Sequence, residues 1–228
     1  MKKTIYFLSY GDKKKPQTNI YEYETQDQLI EAAKKYGISI DHNSVIGDNV
    51  ILGEGSTIQS SVKIFGGAML LKNVYIETGA VIGENARISV AVNIGQSSKI
   101  GSDSEVGAFS KLGHHVRVEH AVTIWQSVVL KNLVSVEASS TIKSRTTIGE
   151  ESTIGENCTI GEDCHIAEKN TFGNRVVIED KVRIEEYTTI KEGVTIGTGS
   201  LIEGYCDILE FAKLAPNTVV SADTTVFP

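Results

Sequence analysis

No long hydrophobic run, no excess of positive charge and no even-numbered set of cysteines is found in this sequence. No stretch approaches the ~20 apolar residues that a membrane-spanning helix requires. The apolar run Ile5 to Leu8 follows a basic start, Met1-Lys2-Lys3, but is too short for the core of a signal peptide. A net charge of −7 argues against nucleic acid or an anionic membrane surface as the main partner. Cys158, Cys164 and Cys206 give no disulfide framework. The expectation is a cytoplasmic protein with no membrane and no nucleic-acid partner.

What is there begins with about forty residues unlike the rest. Thr4 to Tyr10 has strand composition, Gly11-Asp12 and Pro16 mark a turn, and Asn19 to Tyr23 reads as a second strand. Thr25 and Gln28 have the spacing of a capping box, in which each side chain satisfies one orphan backbone N–H at a helix start. Leu29, Ile30, Ala33 and Tyr36 share one helical face, and Gly37 suits the position after the helix. A hairpin and helix of this size cannot stand alone. Residues 1–39 are therefore expected to cap residues 40–228.

From Ile40 to Val226 an aliphatic or aromatic residue recurs at every sixth position without a slip, passing through Ile46, Leu52, Leu112, Val118 and Phe172. The next residue is often glycine, as at Gly95, Gly101 and Gly113. The third residue after it is often Asn, Gly or Asp, types that tolerate positive φ, so a tight turn belongs there. The fourth is nearly always small. Periods of 3.6 and 2.0 do not fit over this length. The pattern is that of a flat-sided coil, in which a short strand points one small and one aliphatic side chain inward before the chain bends. One such unit buries nothing alone, whereas stacked coils bury a continuous core. Cys158, Cys164 and Cys206 all fall in the small inward slot and read as core filler. Asn170 and Phe172 depart from type within one strand, and Asn170 is expected to stack between Ser152 and Thr188 as a polar internal ladder.

This motif resembles the hexapeptide-repeat family, over residues 40–226. The resemblance implies an all-β fold: a left-handed parallel β-helix of about ten triangular coils with three hexads in each, roughly 50 Å long at the usual strand spacing. The handedness comes from the family and not from the spacing.

Three of the five histidines lie in Leu112-Gly113-His114-His115-Val116-Arg117-Val118-Glu119-His120, at positions that packing does not require. His114 and His115 fall in one turn and His120 in the next, with Arg117 pointing outward between them. His165 is an outward strand residue, and His42 lies four coils from His114 on the same corner, ~19 Å away. Hexapeptide acyltransferases place a catalytic histidine at such a turn, facing the seam between subunits of a trimer. It takes a proton from an amine or hydroxyl that attacks an acyl thioester, a task for which imidazole is the natural side chain at neutral pH. The stretch 112–116 is similar to the segment around that base in sugar N-acetyltransferases, where it matches His114, and in acyltransferases of lipid A synthesis, where it matches His115.

The resemblance thus implies an acyl-CoA-dependent acyltransferase, a homotrimer with a small-molecule acceptor, possibly a sugar. The catalytic base would be His114 or His115, with Glu119, His120 and Arg117 as possible supporting residues. Acetyl-CoA or another acyl-CoA is the implied co-substrate, with Trp125, Lys143 and Arg145 as candidate binding residues, Lys131 as a further cation nearby, and no metal expected. No inserted loop interrupts the repeat, a departure from many family enzymes.

Two other readings stand beside it. One is a relative of the γ-type carbonic anhydrases, which bind zinc through three histidines across a subunit seam. His114 matches the first of these, Glu119 stands where the second should be, and the corner two coils back is Glu77-Thr78-Gly79. The other is a non-catalytic scaffold or oligomerisation module. Outward Phe109, Trp125, Val129 and Leu133 suggest a buried seam, and Tyr205, Leu209, Phe211 and Phe227 crowd the C-terminal end. Outward threonines form columns, Thr123-Thr141-Thr159 and Thr153-Thr171-Thr189, as common strand formers.

Overall fold

The computed structural model describes residues 2–10 and 15–228; the turn expected at Gly11-Asp12 lies outside the described residues. The chain forms the expected left-handed parallel β-helix of about ten coils. Its three faces are parallel sheets. The first face runs from Val50–Gly53 through Thr123–Ile124 to Lys213–Leu214. The second runs from Ser39–Ile40 through Lys111–Leu112 to Val219–Val220, and the third from Val45–Ile46 through Arg117–Val118 to Thr225–Val226. Each strand pairs in register with those one coil away, as Lys111–Leu112 does with Asn93–Ile94 and Val129–Leu130. We call the turn that follows each face its corner.

The hexad pattern sets this geometry residue by residue. From Asn49 to Asp223 every sixth residue has a positive φ. Asn, Asp, Ser and Gly are natural there, but Phe109, His115, Leu133, Arg145, Tyr187, Tyr205 and Phe211 occupy the same conformation. The sequence pattern alone does not reveal this. The bulky residues are held because each donates its N–H to a carbonyl of the coil before, as His115 does to Gln96 (2.9 Å) and Leu133 to His114 (3.0 Å).

The interior is filled by the repeating aliphatic positions and the small slots, sealed from solvent along the prism and part-exposed at Thr218, Thr224 and Val226 in the last coils. Polar small residues survive there because they bond to the next coil: Ser98 Oγ donates to the Gly113 carbonyl (2.8 Å) and accepts from Val116 N–H (3.0 Å). Asn170 forms the expected ladder, accepting from Thr188 N–H (2.8 Å) while its own N–H donates to Ser152 Oγ (3.2 Å). The three cysteines are buried and free. Burial pushes the Cys164 thiol up to about 11.

At the N-terminal end, β1 (Lys3–Ser9) and β2 (Gln17–Tyr23) pair antiparallel. β1 also adds, parallel, to Val50–Gly53, so the hairpin extends the first face. α1 (Gln26–Lys34) begins with the capping box, both of whose bonds are present. Its buried residues Leu29, Ala32 and Ala33 close the first coils, and Phe7 stacks on Tyr36 at 4.8 Å. Ile5, Phe7, Leu29 and Ala33 form one core with Ile40, Ile46 and Leu52. Among the described residues, no helix is long and apolar enough to cross a membrane.

Candidate functional site

The nine-residue histidine segment crosses two corners. Leu112 ends a strand of the second face, so His114 and His115 turn outward on the second corner. Val116 and Val118 point into the core with Arg117 exposed between them, and Glu119 and His120 follow on the third corner. Gly113 has to be glycine, because a Cβ there would meet Asn132 N at 2.8 Å and Lys131 C at 2.9 Å. The coil above therefore lies directly against the turn that carries His114.

A column of polar groups holds His114. Its N–H donates to Asn132 Oδ1 (2.9 Å), and Asn132 Nδ2 donates to Glu150 Oε1 (3.3 Å). Its Nδ1 lies 3.3 Å from Glu77 Oε2, with Glu77 mostly covered and His114 half exposed. The Gln96 N–H points at both groups, 3.0 Å from Glu77 Oε2 and 3.1 Å from His114 Nδ1. Two tautomers compete at this junction. With the proton on Nε2, Nδ1 accepts from Gln96. With the proton on Nδ1, the ring donates to Glu77, Gln96 satisfies the same carboxylate, and Nε2 is left as a free acceptor. The negative carboxylate favours the second state.

The other histidines lack such a setting. His115 has a positive φ and an exposed side chain, and among the described residues neither its ring nor that of His120 has a side-chain bond. Glu119, the nearest acid in sequence, bonds Arg117. His42 pairs with Asp27 of α1 at 3.3 Å, and His165 lies on the second face between Thr147 and Arg183. Among the described residues, no three His, Cys, Asp or Glu side chains converge as a metal site.

Trp125, Lys143 and Arg145 lie on the first corner, a different edge of the prism from His114. A groove of about 680 Å³ runs along this edge, with Met69, Leu71, Ala108 and Trp125 among its lining and Arg87, Glu105, Arg145 and Glu162 as its charged members. Arg145 is already engaged: Nε and Nη2 donate to Asp163 (2.6 and 2.9 Å), and Nη2 donates to Glu162 (2.9 Å). This grip raises the arginine pKa further and holds the Asp163 carboxyl below the usual range. A smaller hollow of about 260 Å³ flanks the histidine corner itself, lined by Lys111, Gly113, Val129, Lys131, Asn132 and Glu150.

One chain therefore brings His114, Glu77, Gln96 and Asn132 together, and keeps the first-corner residues apart from them. Sequence reasoning missed Glu77, Gln96 and Asn132 as neighbours of His114. The signal was available: two coils back from His114 stands Glu77-Thr78, and one coil on stands Asn132.

Among solved structures, the chain resembles a UDP-N-acetylglucosamine acyltransferase from Arabidopsis, with 22% identity and a TM-score of 0.46 over 81% of this chain and 66% of that one. It also resembles a variant of GDP-perosamine N-acetyltransferase from Caulobacter crescentus, solved with CoA and GDP-perosamine, at 24% identity and a TM-score of 0.44 over 54% of this chain and 59% of that one. A third is the acetyltransferase domain of PglB from Neisseria gonorrhoeae with acetyl coenzyme A, at 17% identity and a TM-score of 0.40 over 59% and 60% of the two chains. The chain thus spans 59 to 66% of the length of these three proteins. No curated protein matches it. A family model, described as the GMPPB C-terminal domain, matches residues 31–133 and again 88–185, two placements displaced along one uninterrupted repeat. Together these matches cover more than half of the sequence, and the chain belongs to the GMPPB C-terminal domain family.

Proposed function

We propose that this protein is an acyl-CoA-dependent acyltransferase acting on an amine or hydroxyl acceptor, with His114 as general base. The observation that carries the reading is the His114–Glu77 junction. A carboxylate 3.3 Å from Nδ1 favours the tautomer with the proton on Nδ1, in which Nε2 of this half-exposed ring is the free acceptor. In the reaction, the acceptor's nitrogen or oxygen attacks the thioester carbonyl as Nε2 takes its proton. The new C–N or C–O bond forms, the C–S bond breaks, and the leaving thiolate receives the proton from the imidazolium. His115, whose ring has no side-chain bond among the described residues, is not the base.

The working unit in this reading is a homotrimer. The groove on the first corner is lined by residues from Met69 to Glu162, and His114 sits within that span of coils. A rotation about an axis parallel to the prism leaves heights unchanged. The second corner of one copy can then meet the first-corner groove of another with His114 level with Trp125. Phe109 and Leu133, exposed on these two corners, would be covered by the same contact. The groove's apolar wall and internally paired charges suit the neutral, flexible arm of an acyl-CoA. Trp125 would flank that arm, Lys143 would offer an ammonium beside it, and Arg145 would close the rim.

The test is thiol release from acetyl-CoA in the presence of a panel of amino sugars and hydroxylated metabolites. Release that depends on an acceptor and is lost in His114→Ala, with an unchanged circular dichroism spectrum, is expected. No release with any acceptor, together with no calorimetric binding of CoA, would overturn the reading. It would favour a non-catalytic scaffold, for which the exposed Tyr205, Phe211 and Phe227 near the C-terminal end are the supporting observation.

A further inference from the structure

We infer that the acceptor is a linear polyamine, whose unreacted ammonium groups lie along the carboxylates of Glu150, Glu168 and Glu186. The inference deepens the acyl-transfer reading, on which it rests for the reacting end. The three glutamates follow paired strands of the second face, Thr147–Ile148, His165–Ile166 and Arg183–Ile184, and so stand at one corner position on successive coils. His114 holds the same position two coils before Glu150, with Asn132 between them. Nowhere else in the repeat do residues 18 apart in sequence give three like charges in a row. Elsewhere the sign alternates, as in Arg145-Asp163-Lys181 on the first corner, where the arginine grips the aspartate. Like charges stacked ~4.8 Å apart repel. The neighbouring Glu185 is satisfied by Arg183, whereas among the described residues none of the three has a cation within ion-pair distance.

The corner already holds one alkylammonium. Lys169, next to Glu168, donates from Nζ to the Tyr187 hydroxyl (2.9 Å) and sits 5.1 Å from the centre of that ring. The bond to Tyr187 and the charges of Glu151 and Glu168 hold its pKa above the ordinary value. Tyr187 stacks on Tyr205 at 5.0 Å, and Tyr205 is more than half exposed. Carboxylates beside open ring faces are what a chain of ammonium groups requires. The spacing also fits. An extended aminopropyl unit spans ~5 Å, close to the ~4.8 Å rise of one coil. With one terminal amine at His114, a tetraamine reaches ~16 Å along the corner, past the level of Glu168. Lys131 stands beside Asn132 and opposes a cation at that level, so the bound charges belong at Glu150 and beyond. The terminal amine reacts in its neutral form. Its nitrogen bonds the thioester carbonyl carbon, the C–S bond breaks, and its proton passes through His114 Nε2 to the thiolate. The amide formed carries one positive charge fewer than the protonated amine that arrived, which favours its release.

Calorimetric titration of the full chain with spermine, putrescine and glucosamine tests this, at ~0.15 M salt so that net charge alone is screened beyond about 8 Å. Spermine is expected to bind at least tenfold tighter than either of the others. Glu150→Gln/Glu168→Gln/Glu186→Gln should remove that advantage and melt at or above the parent, because it also removes the repulsion. Glu84→Gln/Glu137→Gln/Glu156→Gln, which takes as many charges from the third corner, should keep the advantage. Equal binding of the three amines, binding undiminished in the first variant, or equal losses in both variants would overturn the inference. The two proposals fail separately. Spermine binding that depends on the three glutamates, with no thiol release from acetyl-CoA, leaves the polyamine site standing and removes the acyl-transfer reading. Thiol release that glucosamine supports as well as spermine, unchanged in the first variant, does the reverse.

Discussion

Nδ1 of His114 lies 3.3 Å from Oε2 of Glu77, a residue two coils earlier on the same corner. If this carboxylate sets the tautomer, the two residues act as a unit. His114→Ala is expected to lower kcat/KM by roughly 10²- to 10⁴-fold, the usual worth of a general base. Glu77→Gln should cost roughly 10- to 100-fold through a misplaced ring, mainly in kcat. His115→Ala should stay close to the parent. Steady-state kinetics of the three variants check this, and a His115→Ala enzyme as impaired as His114→Ala would move the base to His115.

Gly113→Ala probes the close approach of coils that carries the site. The added Cβ would meet backbone atoms of Lys131 and Asn132 at 2.9 and 2.8 Å, neither of which can rotate away. A cost of ~1–3 kcal/mol is expected, at ~2–4 °C of melting midpoint per kcal/mol. Scanning calorimetry measures it. A variant that melts with the parent would mean the coils are looser than described.

The Arg145–Asp163 pair gives a pH signature. Its arginine partner holds the Asp163 carboxyl below the usual range, so the folded state binds its proton less readily than the unfolded chain does. The contribution is present above the unfolded carboxylate pKa of about 3.9 and is lost as pH falls through the lower folded value. Asp163→Asn should therefore differ from the parent in melting midpoint at pH 6, and the gap should shrink as pH drops below about 4. Thermal scans from pH 6 to pH 2.5 show it, and a gap that does not change with pH would contradict the ion-pair origin.

Cys164 reports on the core. Its folded thiol is pushed up to about 11, above the ordinary value of 9.0. The associated stability is complete below the unfolded pKa and is lost as pH rises toward the folded one. A disulfide reagent at pH 8 should leave the three cysteines unlabelled in the native protein and label all of them in denaturant. Rapid native labelling at Cys164 would mean that the coils around it open readily.

The fold was legible because one period governs it. The unbroken series from Ile40 to Val226 fixes the inward face of every strand, and the Thr25–Gln28 pair marks the helix start. The candidate site was less legible. The histidine corner could be found from its odd composition, because His114 and His115 serve no packing purpose. Its partners could not be chosen, because neighbours in a coil lie 18 residues apart and chain proximity misleads. Glu119, five residues from His114, turns to Arg117, while Glu77 crosses two coils to reach the ring. Bulky residues at positive φ, such as Leu133 and Phe109, were equally hidden. Their conformation is imposed by bonds to the coil before and not by their own preference.

The central claim is that His114 of one copy works against the first-corner groove of another. Subunit complementation tests it directly. His114→Ala removes the base, and Ala108→Trp fills the groove, so each variant alone should be inactive. Unfolded together and refolded, the mixture should regain thiol release, because some seams then join an intact histidine to an intact groove. A mixture as inactive as its parents, from proteins that refold and assemble normally, would contradict the claim.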